Sequence, residues 1–160
     1  MSSVISYFEM KSWGELRPAV VPAGMELRRE NDPGVGARMY REVGGKWQWT
    51  DRLLWSEEEW QAWMERGEVM TWRVFFEGRE AGYLEIEKQE GGSVEIVYFG
   101  LRPEMIGKGL GGAMLTKAVE EAWGLGGVKR VWLHTCTEDH PYAVSNYEKR
   151  GFRLFRTVRE

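Results

Sequence analysis

Four glycines fall within six residues, at Gly107, Gly109, Gly111 and Gly112. Their flanking residues decide the chemistry they serve. Upstream, residues 93–100 set Val94, Ile96 and Tyr98 against Glu95, Val97 and Phe99, the two-residue period of a strand. Gly100, Arg102 and Pro103 end that strand. Downstream, Leu110, Met114, Ala118 and Ala122 recur on one helical face, with Leu115, Val119 and Trp123 beside it. A strand, a glycine loop and a helix start, in that order, make a site for phosphate. The N–H groups of a first helical turn have no carbonyl partner and carry partial positive charge. Glycines remove the side chains that would hold a pyrophosphate away. The alternative is a glycine-rich turn with no ligand, but one turn needs one or two glycines and not four at a helix start.

Two nucleotide motifs are tested by this stretch. Gly107-Lys108-Gly109-Leu110-Gly111-Gly112 satisfies G-x-G-x-x-G. The dinucleotide fingerprint, however, expects its glycines directly after a first strand. Here residues 102–106 intervene and three candidate strands already precede the site. The Walker A pattern fails, because no Lys-Ser or Lys-Thr pair follows a glycine at its spacing.

The same residues resemble the GCN5-related N-acetyltransferase family, whose signature R/Q-x-x-G-x-G/A lies between a central strand and the next helix. Here it stands as Ile106-Gly107-Lys108-Gly109-Leu110-Gly111, with the signature glycines at Gly109 and Gly111 and Ile106 in the leading place. The family's Tyr-x-x-x-Gly-Phe segment is matched by Tyr147, Gly151 and Phe152. His140 stands where many members carry an Asn seven residues before that Tyr. The resemblance is clearest over residues 82–155.

The resemblance implies an α/β fold: a mixed, mostly antiparallel sheet of six to seven strands, about four helices, and two central strands that splay to admit acetyl-CoA. Those strands would be residues 93–100 and 129–135. It places the pyrophosphate on Gly107, Gly109, Gly111 and Gly112, with Arg102, Ile106, Lys108 and Leu110 around them. It gives the pantetheine arm to the backbone of Gly100 and Leu101, and lets the Leu101 N–H polarise the thioester carbonyl. His140 and Asn146 fall near the pantetheine path, with helix capping as the other reading of His140. Tyr147 matches the family's general acid; its structural alternative is packing beside Phe152. Glu95 is the candidate base, read as lying on the face of Val97 and Phe99 among apolar neighbours that raise its pKa. Its alternative is an ordinary cross-strand pair with Arg or Lys.

The acceptor side would be residues 35–67, which hold Trp47, Trp49, Asp51, Arg52, Trp55, Trp60 and Trp63. Aromatic walls with one acid and one base suit a small amine. Trp60 and Trp63 are expected in the core, and Trp47 and Trp49 at a pocket. Asp51 binds an ammonium group or pairs with Arg52. His134 and Cys136 are strand neighbours that point in parallel, so a buried, inert thiol is expected over a Cys–His nucleophile.

The elements that must position these groups are legible in outline. Residues 4–10 read as a strand or extended arm, and 25–29 as a short strand. Asp32 caps a helix over 35–43 with Pro33 at its first position. Ser56 and Glu59 form a capping box. Strands follow at 69–77, 81–88 and 93–100, then a long helix, a strand at 129–135, a last helix capped by Asp139 or His140, and a strand at 152–158. One domain is expected over residues 1–160, with N-terminal strands in 1–30, the helical acceptor side in 35–67 and the cofactor-binding sheet in 69–160.

Composition narrows the classes. Acidic residues number 25 against 22 basic ones, a net charge of −3 with no basic stripe, which argues against nucleic acid. No apolar run approaches a membrane span. A single cysteine fits a reducing compartment, and with no signal peptide legible the cytoplasm is the expected location. No metal is called for. The reading is an acetyl-CoA-dependent N-acetyltransferase that moves acetyl to a primary amine of a small molecule by direct attack in a ternary complex. The alternatives are a non-catalytic acyl-CoA-binding module or sensor and a protein or peptide N-acetyltransferase. A nucleotide-binding oxidoreductase is disfavoured by the position of the glycines. A homodimer stays open, since exposed tryptophans suit a dimer face as well as a pocket.

Overall fold

The computed structural model describes residues 3–47, 49–137, 139 and 141–159. Among the described residues seven strands form one sheet: β1 (Val4–Met10), β2 (Met25–Glu30), β3 (Val69–Phe76), β4 (Arg79–Lys88), β5 (Ser93–Leu101), β6 (Arg130–Cys136) and β7 (Arg153–Arg159). Four α-helices accompany them: α1 (Pro33–Gly44), α2 (Glu57–Met64), α3 (Gly111–Trp123) and α4 (Ala143–Lys149). The sheet order is β2-β3-β4-β5-β6-β1-β7. All neighbours are antiparallel except β5 and β6, which the crossover through α3 makes parallel.

Local chemistry accounts for the helix starts. The Asp32 carboxylate accepts from Gly34 N at 2.8 Å, and Pro33 occupies the first position of α1, where its missing N–H costs nothing. Ser56 and Glu59 make both bonds of the capping box that opens α2. The last helix departs from expectation. It begins at Ala143 with Tyr142 in the cap position, so Asp139 does not cap it. The expectation for His140 lies outside the described residues.

The sheet carries α3 and α4 on one face and α1 and α2 on the other. On the α3 face, Met114, Leu115, Ala118 and Val119 meet Phe8, Met10, Trp72, Leu84, Ile86, Val131 and Leu133 in the main core. On the opposite face, Met39, Tyr40 and Val43 of α1 and Trp60 of α2 pack with Tyr83 and Tyr98. Ion pairs fasten α1 to the sheet: Arg38 and Arg102 each reach both Glu42 and Glu80, and Arg73 reaches Glu30 and Glu80. Among the described residues no helix is long and apolar enough to cross a membrane.

Strict alternation fails along β5. Glu85 pairs with Tyr98 and Ile86 pairs with Ile96, so Val97 is an unpaired extra residue, a β-bulge. The bulge reverses the parity of the residues beyond it. Ile96 and Phe99 therefore both pack toward the α3 core. Glu95 lies instead on the face of Tyr98, Glu85 and Glu87, which corrects its expected placement beside Val97 and Phe99.

Candidate functional site

β5 and β6 pair over only three positions, Ser93–Arg130, Val94–Val131 and Glu95–Trp132, and then part. The backbone of β5 beyond that point keeps β4 on one side and has an open edge on the other. The Arg102 N–H donates to Ala81 O at 2.8 Å on the β4 side. Backbone direction alternates along a strand, so Gly100 also turns toward β4, while Phe99 and Leu101 present their N–H and C=O groups to the gap. Gly100 has a different use. A Cβ there would meet Val43 Cγ1 at 2.6 Å and the Trp49 ring at 3.4 Å, so its missing side chain lets α1 and Trp49 close on the strand.

The gap opens into one cavity of about 1040 Å³. At one end are Ile106, Gly107, Gly109, Leu110 and Gly111. Gly107 and Gly109 have φ of +87° and +76°, a left-handed conformation that a side chain would strain, so glycine is required to curl the loop under the start of α3. Lys108 and Gly112 lie outside the lining. A Cβ on Gly112 would touch Ala19 and Arg150, which makes it a packing glycine where the N-terminal segment crosses α3. Asn146 lines the cavity, and its Nδ2 donates to Gly111 O at 3.2 Å, tying α4 to the first turn of α3. Arg102 turns away. Its guanidinium is held by Glu42, Glu80 and Glu104, so neither its side chain nor its N–H faces the cavity, a correction to its expected cofactor role.

At the middle of the cavity stands Tyr147, 7% exposed, with its ring against Phe8, Phe99 and Phe152. Packing and presentation to the cavity thus coexist in this residue. Burial, and then the charge of Asp139, push the phenol pKa well up. Thr135, His134, Cys136 and Asp139 line the β6 side. Cys136 is half-buried and lines the cavity, rather than being buried. Asp139 brackets the end of β6. It accepts from the Thr135 hydroxyl, from Cys136 N at 3.0 Å and from Trp49 Nε1 at 3.3 Å.

At the far end the walls are Trp47, Trp49, Asp51, Arg52 and Trp55. Trp49 packs on Tyr40 and Tyr98, with ring centroids 5.7 and 4.8 Å away. Asp51 accepts from the Tyr98 hydroxyl at 3.0 Å and does not pair with Arg52. The Arg52 guanidinium is committed elsewhere. It forms a two-pronged pair with Glu85, both bonds 2.7 Å, and lies over the rings of Trp55, Trp63 and Tyr98. Arg52 thus lines the cavity with its guanidinium already paired, and pins the 51–55 loop to the sheet. Trp60 is core, and Trp63 is partly buried against it.

Glu95 is not in the lining. Its side chain is 11% exposed, and its Oε2 lies 3.6 Å from Nδ1 of His134, which is 43% exposed. Gln89 Nε2 donates to Glu95 Oε1 at 2.9 Å. Burial pushes the Glu95 carboxyl up to about 7; the Gln89 bond opposes this and the charges of Glu87 and Glu85 add to it. His134, Asp139, Tyr98 and Gln89 are the residues that sequence reasoning missed or weighed for another purpose. The parity of β6 was the available signal for His134; nothing local marks Asp139. Among the described residues no group of three or more His, Cys, Asp or Glu is placed to hold a metal ion.

Solved structures of similar fold include a GCN5-related N-acetyltransferase from Kribbella flavida, at 17% identity and a TM-score of 0.70, covering 96% of this chain and 55% of that one. Another, from Sphaerobacter thermophilus, has 17% identity and a TM-score of 0.73, covering 97% of this chain and 49% of that one. An aminoglycoside acetyltransferase from an uncultured soil metagenomic sample, in complex with sisomicin, has 14% identity and a TM-score of 0.64, covering 79% of this chain and 87% of that one. At these identities the likeness is one of fold. The chain spans about half the length of the first two. A comparison with curated proteins finds no match. The sequence model of the acetyltransferase (GNAT) family matches residues 34–152, from the start of α1 through the glycine loop to Phe152, and the chain belongs to that family.

Proposed function

We propose that the protein moves the acetyl group of acetyl-CoA to a primary amine of a small molecule, by direct attack in a ternary complex. The observation that carries this reading is the single cavity joining the glycine loop, the strand gap and the tryptophan wall around Asp51. A donor entering at the loop and an amine entering at the wall meet in the gap. The residues suit an acyl-CoA. The first turn of α3 offers N–H groups beside two glycines with positive φ, which fits a pyrophosphate. The open edge of Phe99 and Leu101 fits the amide groups of a pantetheine arm as a further strand would.

Acetyl-CoA supplies an acetyl thioester, whose acyl carbon bonds to the amine nitrogen as its bond to sulfur breaks. The chain must orient the amine, take a proton from it and return one to the departing sulfur. Asp51 offers a carboxylate to an ammonium group, with Trp47, Trp49 and Trp55 against the body of the molecule. Tyr147 is a phenol, protonated at neutral pH, and burial holds that proton more firmly, so it is in the donating state the leaving sulfur needs. Glu95 is not in the lining, so its carboxyl can act on the amine only through a group that is, and His134, 3.6 Å from Glu95 Oε2, lines the cavity. The aminoglycoside acetyltransferase is an instance of a small-molecule acceptor on this fold.

Calorimetric titration with acetyl-CoA, desulfo-CoA and NADH tests the donor. Micromolar binding of both CoA species and none of NADH is expected; failure of both CoA species to bind sinks the reading. A panel of amines followed by free-thiol release then tests turnover. Tyr147→Phe should lower kcat by roughly 10²-fold with unchanged affinity for desulfo-CoA.

A further inference from the structure

Glu95 stands behind the cavity wall and His134 stands in front of it. We propose that His134 is the group that takes the proton from the amine, and that Glu95 is the positioning residue that orients its ring and balances its charge. This role rests on the acetyltransferase reading.

The geometry is a chain of fixed contacts. Trp132 Nε1 donates to Gln89 Oε1 at 2.9 Å, and Gln89 Nε2 donates to Glu95 Oε1 and to Glu87 Oε1, both at 2.9 Å. Those bonds hold one oxygen of Glu95 and leave Oε2 facing His134 Nδ1. The imidazole ring lies against Tyr7, with centroids 5.4 Å apart, and near-parallel to Trp132 at 6.2 Å. With Nδ1 turned to Glu95, Nε2 is the ring nitrogen left for a substrate.

Charges around the pair agree with this division. His134 faces Glu95 from β5, Tyr7 from β1, Asp139 from the loop after β6 and Asp51 from the loop before α2. Glu95 faces Glu85 and Glu87 from β4, and Arg52, which Glu85 already engages. Burial lowers the His134 pKa and the two aspartates oppose it, so the ring is neutral and able to accept at neutral pH. In the step, the Nε2 lone pair takes the proton from the amine nitrogen as that nitrogen bonds to the acyl carbon. The ring becomes an imidazolium, and its Nδ1–H stays with the Glu95 carboxylate.

The chain has two histidines, so ¹⁵N NMR of the imidazoles, assigned with His134→Gln, reads His134 directly. In the wild-type protein at pH 7.5, a value chosen near the operating range of roughly 7–8 for such a base, the Nδ1–H tautomer is expected. Glu95→Gln should turn part of the His134 population to the Nε2–H tautomer, since the carboxylate that faces Nδ1 is gone. With an accepted amine, His134→Gln should lower kcat by roughly 10²-fold and remove the acidic limb of the pH profile, with the affinity for desulfo-CoA unchanged. Glu95→Gln should keep that limb and lower kcat by less than His134→Gln does. An Nε2–H tautomer in the wild-type protein, or an acidic limb surviving in His134→Gln, overturns the assignment and leaves acetyl transfer standing. Failure of the wild-type protein to bind any CoA species removes acetyl transfer and this role together.

Discussion

Two carboxylates on the sheet respond to pH with opposite sign. The Glu95 carboxyl is raised from 4.5 to about 7 by burial. Between those values the folded protein keeps a proton that the unfolded chain has released, so stability falls as pH rises through this window and levels off above it. Glu80 is lowered from 4.5 to about 2, chiefly by its bonds to Arg38. Its contribution is complete above pH 4.5 and is lost as pH falls toward 2. Thermal melts across pH should therefore separate Glu95→Gln from Glu80→Gln. Relative to wild type, Glu95→Gln should gain as pH rises from 4.5 to about 7, by on the order of 2 kcal/mol, and Glu80→Gln should lose at neutral pH with the deficit closing in acid. A flat difference for Glu95→Gln would mean its carboxyl is not held up by the fold. These environments were only half legible in the sequence. That Glu95 sits on a central strand follows from local alternation. That Arg52 is spent on Glu85, 33 residues away, does not, because no local pattern encodes which distant charge a buried guanidinium will meet.

At the scale of elements, the motifs with special backbone needs were the readable ones. The loop through Gly107 and Gly109 and the Tyr147–Phe152 segment announce themselves, since positive φ and close approach leave few residue choices. The bulge at Val97 did not, because an inserted residue leaves the hydrophobic pattern of β5 plausible in either parity. The Asp139 cap failed for a related reason: the carboxylate was drawn to Thr135, Cys136 and Trp49, and α4 starts later without it. The close of α1 carries a sharper consequence. A Cβ on Gly44 would lie 2.3 Å from the Trp49 ring, so the bare end of this helix seats the tryptophan that walls the acceptor end. Gly44→Ala gains about 1 kcal/mol of helix propensity and loses roughly 1–3 kcal/mol to overpacking, so the fold should survive. Trp49 must shift and give up its bond to Asp139. Steady-state kinetics should then give a KM for the amine raised roughly 10-fold, with desulfo-CoA affinity within about twofold of wild type, since that end of the cavity is untouched. An equal rise in both would show that Trp49 does not belong to the acceptor end.

For the molecule as a whole, the first strand is out of proportion to its place in the sequence. The family match begins at residue 34 and omits β1, yet β1 lies inside the sheet, between β6 and β7. It pairs with β6 from Ile5–Cys136 to Met10–Val131 and with β7 from Val4–Arg159 to Glu9–Arg153. The same strand sends Phe8 and Met10, 1% and 0% exposed, into the main core beside Leu133 and Tyr147. Ser3 and Ile5 reach the cavity wall. Removing it would leave one edge of β6 unpaired and β7 with no strand to join. Loss of the two core side chains alone costs roughly 5–10 kcal/mol, which is comparable with the whole stability of a domain at roughly 5–15 kcal/mol. Deleting residues 1–11 should therefore abolish cooperative thermal unfolding by circular dichroism, even though every residue of the family match and of the glycine loop is retained. Phe8→Ala, a milder cut, should leave a cooperative transition lowered by roughly 3–5 kcal/mol. Cooperative melting of the truncated chain near the wild-type temperature would place the stability of this fold in the five strands from β2 to β6, and would make β1 an accessory to the cavity rather than a support of it.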